Sequence, residues 1–242
     1  VTACEPFALE PYQWHFPIVG EFSYKGFFNK KRAIKEAESL KKKGYDTDIG
    51  EVNAWSTLGW FRDPVMSSML KKTEGRLASL LIHELTHSTI FVKNDVQFNE
   101  NLASFIGDKG ALLFLQYKYS DNSEIINKYM GELSDLKKIR SHMQRAAVEL
   151  KKFYKEYGSS QPKKRKKEKI QKILMDMDTL SLNSTLKINR IQALKETINN
   201  TFFTDFLLYR EDQKVLEKVF AEDFGGNFRL YFNFLKNKHT TL

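Results

Sequence analysis

The chain is poor in cysteine. Cys4 stands alone in 242 residues, which rules out an internal disulfide and a thiolate metal cluster and leaves an inert, partly buried thiol as the expectation. Long apolar runs are also missing. None approaches the roughly 20 residues that a membrane-spanning helix needs, and the N-terminus has no basic-then-apolar secretion signal. The first residue is Val1 rather than Met, as expected of a processed or truncated product. The compartment is therefore open: cell envelope if an upstream signal or lipid anchor has been removed, cytoplasmic otherwise. Histidine is scarce at five residues, yet two of the five fall four positions apart, at His83 and His87.

What is present is ordinary for a folded protein. With 41% hydrophobic residues, the chain can bury a full core as one large domain, or as one domain with an appendage. The net charge of +9 is uneven. Lys163-Lys164-Arg165-Lys166-Lys167-Glu168-Lys169 sets six cations against one anion, more than half the excess. Such a run suits nucleic acid or an anionic membrane surface, and it equally suits a solvated helix start. No interleaved aromatics mark a single-strand platform. No nucleic-acid partner is expected, and the run's expected association with anionic surfaces is weak.

The order along the chain is strands first and helices later. Residues 17–24 read as a strand ending at a Lys25-Gly26 turn. Asn29 is a good N-cap for a helix through Lys43, ended by Gly44, and residues 45–49 alternate like a strand. Residues 51–61 are another extended stretch, with a short helix from Asp63-Pro64 toward Lys71. Thr73 can cap a helix in which Leu77, Leu81 and Leu85 form one apolar stripe and Ala78 and Ile82 another, so burial on more than one side is expected. A break at Lys93-Asn94-Asp95 precedes a second helix starting at Phe98 or Asn99. In it Glu100, Ala103, Gly107, Gly110 and Ala111 share a face whose small residues permit close approach to the first helix; the glycines equally fit a helix break. Residues 124–157 and 163–182 read as a charged helical hairpin with its turn at 157–162. Its tip, residues 158–169, is expected to be a mobile arm away from the first helices. Further helices follow at 189–210, 211–222 and 227–236, with a Gly225-Gly226 turn between the last two.

The chemistry lies in His83-Glu84-Leu85-Thr86-His87. Positions i and i+4 of a helix share a face, so both imidazoles can reach one metal ion. Glu100 is the third ligand candidate. Two neutral imidazoles and one carboxylate suit a single zinc ion with one coordination position left for water. Glu84 beside them is then the candidate general base. The other histidines have plainer readings: His15 sits between Trp14 and Phe16, His142 in the charged hairpin and His239 in the tail.

His83 to His87 followed by Asn99-Glu100 resembles the gluzincin superfamily, whose third zinc ligand is the Glu of a second helix. More closely, the chain resembles a bacterial family known as the putative aminopeptidases, over most of its length. The resemblance runs through residues 10–20, 24–28, 56–64 (Ser56-Thr57-Leu58-Gly59-Trp60-Phe61-Arg62-Asp63-Pro64) and 91–93. It continues in Phe98-Asn99-Glu100, Asn199-Asn200 and Tyr209. It implies a zinc peptidase of α+β class: a zincin-like core of small sheet and active-site helices (1–122), a helical hairpin insertion (123–188) and C-terminal helices completing the core (189–242). It also implies a peptide substrate held along an extended edge strand at Ser56, Thr57, Leu58 and Gly59, and Tyr209 as a donor to the transition-state oxyanion. One departure concerns the position four after Glu100, acidic in many gluzincins and Ser104 here, so the partner of a zinc histidine is open. Of the nearby acids Asp63, Glu74, Asp95 and Asp108, none has a spacing that marks it as the receptor of a free α-amine. The alternative class is a non-catalytic protein that keeps the zinc fold for peptide binding or scaffolding; the intact Glu84 speaks against it.

Overall fold

In the computed structural model, the described residues are 1–17, 20–50, 67, 69–93, 95–119, 121, 123–158, 163–183, 197–208 and 212–239. They make a mostly helical α+β chain in which short strands come first. The strands are β1 (Thr2–Cys4), β2 (Trp14–Phe16), β3 (Gly20–Phe22) and β4 (Asp46–Asp48), and α1 is Lys30–Lys42. The later helices are α2 (Glu74–Thr89), α3 (Val96–Lys118), α4 (Glu124–Tyr157), α5 (Lys163–Asp176), α6 (Asn200–Leu208), α7 (Asp212–Glu222) and α8 (Phe228–His239). β1 pairs antiparallel with β4, and β2 with β3. No described helix is long and apolar enough to cross a membrane.

The chain divides into two compact units, Val1–Glu51 with Ser134–Leu208, and Val52–Leu133 with Tyr209–Leu242. In the first unit α1 begins and ends where local chemistry directs. The Asn29 carboxamide accepts from the backbone N–H of Lys31 and Arg32, and Gly44 takes the positive φ of 99° that releases the chain into β4. The core packs Met143, Ala147 and Leu150 of α4 with Ile170, Ile173 and Leu174 of α5 and Phe203 of α6. β1 is an addition to the expected strands: three residues carry little periodicity, and its partner β4 is more than 40 positions away.

Within residues 163–169, expected to be a solvated, mobile arm, Lys166 departs from that reading. Lys166 is 8% exposed, forms an ion pair with Asp46, and donates to the Pro6 carbonyl at 2.8 Å. Asp46 also accepts from the Asn200 backbone N–H at 3.0 Å. Asn200 in turn donates to the Glu5, Pro6 and Ala8 carbonyls and accepts from Tyr154 Oη at 2.7 Å. Polar groups this deep hold only because each partner is satisfied.

In the second unit the apolar contacts of α3 run to α7 and α8, through Leu102, Phe105, Ile106, Leu216, Phe220, Tyr231 and Leu235. The buried line of α2 is Gly75, Ser79 and Thr86. Leu85, expected in an apolar stripe, is 64% exposed instead. The reason is the spacing of the two helices. A methyl group at Gly107 of α3 would lie 2.7 Å from the Ser79 carbonyl oxygen and 3.3 Å from His83 Cβ. Only small residues fit where Ser79 of α2 meets Gly107 of α3, so the small side chains of α2 take that line, and Leu85 falls off it. Gly107 and Gly110 sit inside an unbroken helix.

Candidate metal centre

The segment between α2 and α3 is short and fastened. Ile90 leaves the helix with extended backbone, φ −135° and ψ 118°, and is buried. Asn99 then grips the connection from the far side: its Oδ1 accepts from Val92 N–H and its Nδ2 donates to the Val92 carbonyl, both at 2.8 Å. The Asp95 carboxylate caps α3 by accepting from Phe98 N–H at 3.0 Å. The second helix therefore starts at Val96, earlier than Phe98 or Asn99, and Glu100 falls in its second turn, facing the end of α2. In the Asn-Glu pair, Asn99 fastens the loop and Glu100 supplies the carboxylate.

The three expected ligands meet. His83 Nε2 and His87 Nε2 are 3.1 Å apart. Glu100 places Oε2 3.5 Å from His83 Nε2 and Oε1 3.4 Å from His87 Nε2. Ligand atoms about 2.0–2.1 Å from one ion at the tetrahedral angle are themselves about 3.3–3.4 Å apart. The spacing and the donor set therefore fit a divalent metal ion, and these three are the one such group among the described residues.

The electrostatics suit a cation. Burial holds the His87 imidazole below its usual pKa, helped by a second imidazole at His83 and opposed by Glu100. The neutral form, which can ligate, is thus favoured. Burial alone would push the Glu100 carboxyl up, but the hydrogen bond from His83 and the charges of His87 and His83 outweigh it and hold the group below the usual range. The His87 side chain is 9% exposed and that of Glu100 41%, so the group is closed on the α2 side and open on the carboxylate side.

Several neighbouring positions take other work. Ser104, four residues after Glu100, brings Oγ to 3.5 Å from His83 Nδ1, the outer edge of hydrogen-bonding distance; this is the position at which the sequence left the partner of the histidine open. Ser79 donates to Asp108 Oδ1 at 2.7 Å, and Tyr129 Oη donates to the same oxygen at 3.3 Å. Asp108 is thus held one turn or more away from the ligands, at the helix seam. Glu74 is engaged by Lys118 and Tyr119, and Asp95 is the α3 cap. None of these three acids points into the site, as their spacing had suggested, and Asp63 lies outside the described residues. The Ser79–Asp108–Tyr129 node carried no motif; only the helix crossing reveals it.

Glu84 follows His83 on α2 and is partly buried. Ser56, Thr57, Leu58, Gly59 and Tyr209 lie outside the described residues. Thr73 does occupy the N-cap of α2, but its hydroxyl donates to Glu132 at 3.1 Å rather than capping.

No curated protein and no solved structure matches the chain. The family described as "Putative aminopeptidase" matches residues 1–240, nearly the whole length, and it is to this family that the chain belongs.

Proposed function

We propose that the chain is a zinc-dependent aminopeptidase of the gluzincin type, built on a zincin-like core. The observation that carries the reading is the convergence of His83 Nε2, His87 Nε2 and a Glu100 carboxylate oxygen at tetrahedral-ligand spacing. It occurs in a member of a family named for peptide hydrolysis. His83, His87 and Glu100 hold the ion, and an intact Glu84 lies one position along the same helix. When bound, zinc polarises the scissile carbonyl and lowers the pKa of a water toward neutrality. Glu84 takes a proton from the attacking water and delivers it to the departing amine, so no activated Ser or Cys is required. Ser104 steadies the His83 ring from Nδ1, which leaves Nε2 unprotonated for ligation. Ser56, Thr57, Leu58 and Gly59 align the peptide backbone, and Tyr209 donates to the oxyanion.

Two measurements test the reading together. Metal analysis of the purified chain is expected to find one zinc per chain, removed by chelator with loss of peptidase activity. Free peptides are expected to lose residues singly from the N-terminus, while N-acetylated copies remain intact. Absence of stoichiometric metal would refute the zinc centre. Efficient internal cleavage of acetylated peptides would refute the aminopeptidase assignment and retain the metal chemistry.

A further inference from the structure

The cationic charge of the protein is concentrated in one stretch of the first unit, in residues that the catalytic reading does not use. Residues 145–157 of α4 and all of α5 contain eleven Lys and Arg against four Asp and Glu, which is seven of the nine net positive charges in 27 of the 242 residues. The two segments lie side by side. Lys169 is ion-paired with Glu149, and Arg165 is close enough to Tyr157 to act on its phenol. Lys166 is turned inward to Asp46. Lys151, Lys152 and Lys155 on α4 and Lys163, Lys164 and Arg165 on α5 are all exposed.

We propose that this end of the α4–α5 pair is a docking surface for bilayers of anionic phospholipid. Nine of the eleven cations are lysine. Lysine is a compact, strongly hydrated point charge suited to diffuse attraction, whereas close phosphate recognition on nucleic acid favours the bidentate arginine fork. Exposed aromatic rings for base stacking are also sparse, with Tyr157 at 40% exposure the one large example at this end among the described residues. The apolar face of α5 is committed to the core through Ile170, Ile173 and Leu174, so the surface cannot insert into a membrane. Adsorption is electrostatic, reversible and steeply dependent on salt. It needs no zinc and no catalysis.

The test is co-sedimentation of the full chain with vesicles. Vesicles of phosphatidylserine in phosphatidylcholine bind it at low salt and release it at high salt, while pure phosphatidylcholine vesicles do not bind. Each surface Lys contributes roughly fivefold to partitioning, so the triple variant Lys151→Gln, Lys163→Gln, Lys164→Gln binds about 100-fold more weakly. All three sites are exposed and Gln matches Lys in helix propensity, so folding, checked by thermal melting, is retained. A triple variant of equal net charge in the other unit, Lys128→Gln, Lys214→Gln, Lys218→Gln, binds within a few-fold of the parent. Equal loss in both variants, retention in the first, equal binding to uncharged vesicles, or tighter retention by a duplex oligonucleotide than by the anionic vesicles would each overturn the proposal.

Discussion

Gly107→Ala changes one hydrogen into a methyl at a close approach of the two helices that carry His83, His87 and Glu100. The added carbon would sit 2.7 Å from the Ser79 carbonyl oxygen and 3.3 Å from His83 Cβ. A relaxed carbon–oxygen contact is about half an ångström longer than the first of these, in line with the optimal separations of non-bonded atoms. The clashing oxygen belongs to helix backbone and cannot swing aside, so α2 and α3 must separate. Overpacking of this kind costs about 1–3 kcal/mol, against roughly 1 kcal/mol returned by replacing a helical glycine with alanine. The same substitution at Gly110 provides the comparison. There the new methyl meets side chains and no backbone: Ile82 Cδ1 and Cγ2 at 3.1 and 3.2 Å and Phe228 Cζ at 3.6 Å, contacts that need give by only a few tenths of an ångström. Gly110→Ala is expected to be neutral or slightly stabilising, and Gly107→Ala to melt about 4–8 °C lower than it, for a difference of about 2 kcal/mol in a chain of this size. The separation also moves Glu100 relative to His83 by about the 0.5 Å that a preorganised site tolerates. Zinc affinity, measured by chelator competition well below the melting temperature, should therefore fall about 10–100-fold in Gly107→Ala and stay unchanged in Gly110→Ala. Equal stability and equal zinc affinity in the two variants would refute the close-crossing argument.

Three further outcomes are expected. Glu84→Gln should keep stoichiometric zinc while peptidase turnover falls by at least about 10²–10⁴-fold; comparable turnover would place the base elsewhere. Lys166→Met should lower the unfolding free energy by about 3–5 kcal/mol, since it strands a half-buried Asp46, whereas Lys164→Met, at an exposed pair, should change it by less than about 1 kcal/mol; denaturant titration distinguishes them. Glu36 accepts from Trp14 Nε1 and from Lys25 Nζ, each at 2.9 Å, and these bonds depress its carboxyl pKa below 4.5. A depressed folded-state pKa gives stability that is complete above the unfolded value and is lost as pH falls through the folded one. Trp14→Phe should therefore reduce the loss of stability below about pH 4.5, measured against the parent chain; identical acid limbs would exclude Glu36 as a contributor.

The His83–His87–Glu100 group was legible because everything that makes it is local. An i,i+4 histidine pair needs only a helix, and the third ligand follows within 13 positions. Asn29 and Gly44 were legible for the same reason: caps act on backbone groups within a few residues. The burial of Lys166 was not, because its partner Asp46 is 120 residues away and nothing in a lysine-rich run distinguishes the one that turns inward. The outward Leu85 was misread because periodicity reports which residues are apolar. It does not report how closely a neighbour approaches, and Gly107 decides that. β1 escaped notice because three residues have no period to detect. The proposed substrate strand at residues 56–59 and Tyr209 lie outside the described residues.

The fastening of Val92 by Asn99 has a consequence for how the protein is made. All three ligands lie within an 18-residue stretch, and the connection between their helices closes through its own hydrogen bonds. The entropy of closing so short a loop is small, and contacts of low sequence separation form early. The ligand group can therefore assemble as a helix–loop–helix before α7 and α8 have been synthesised, and an ion bound at that stage would act as a folding nucleus for the second unit rather than as a late addition to a finished one.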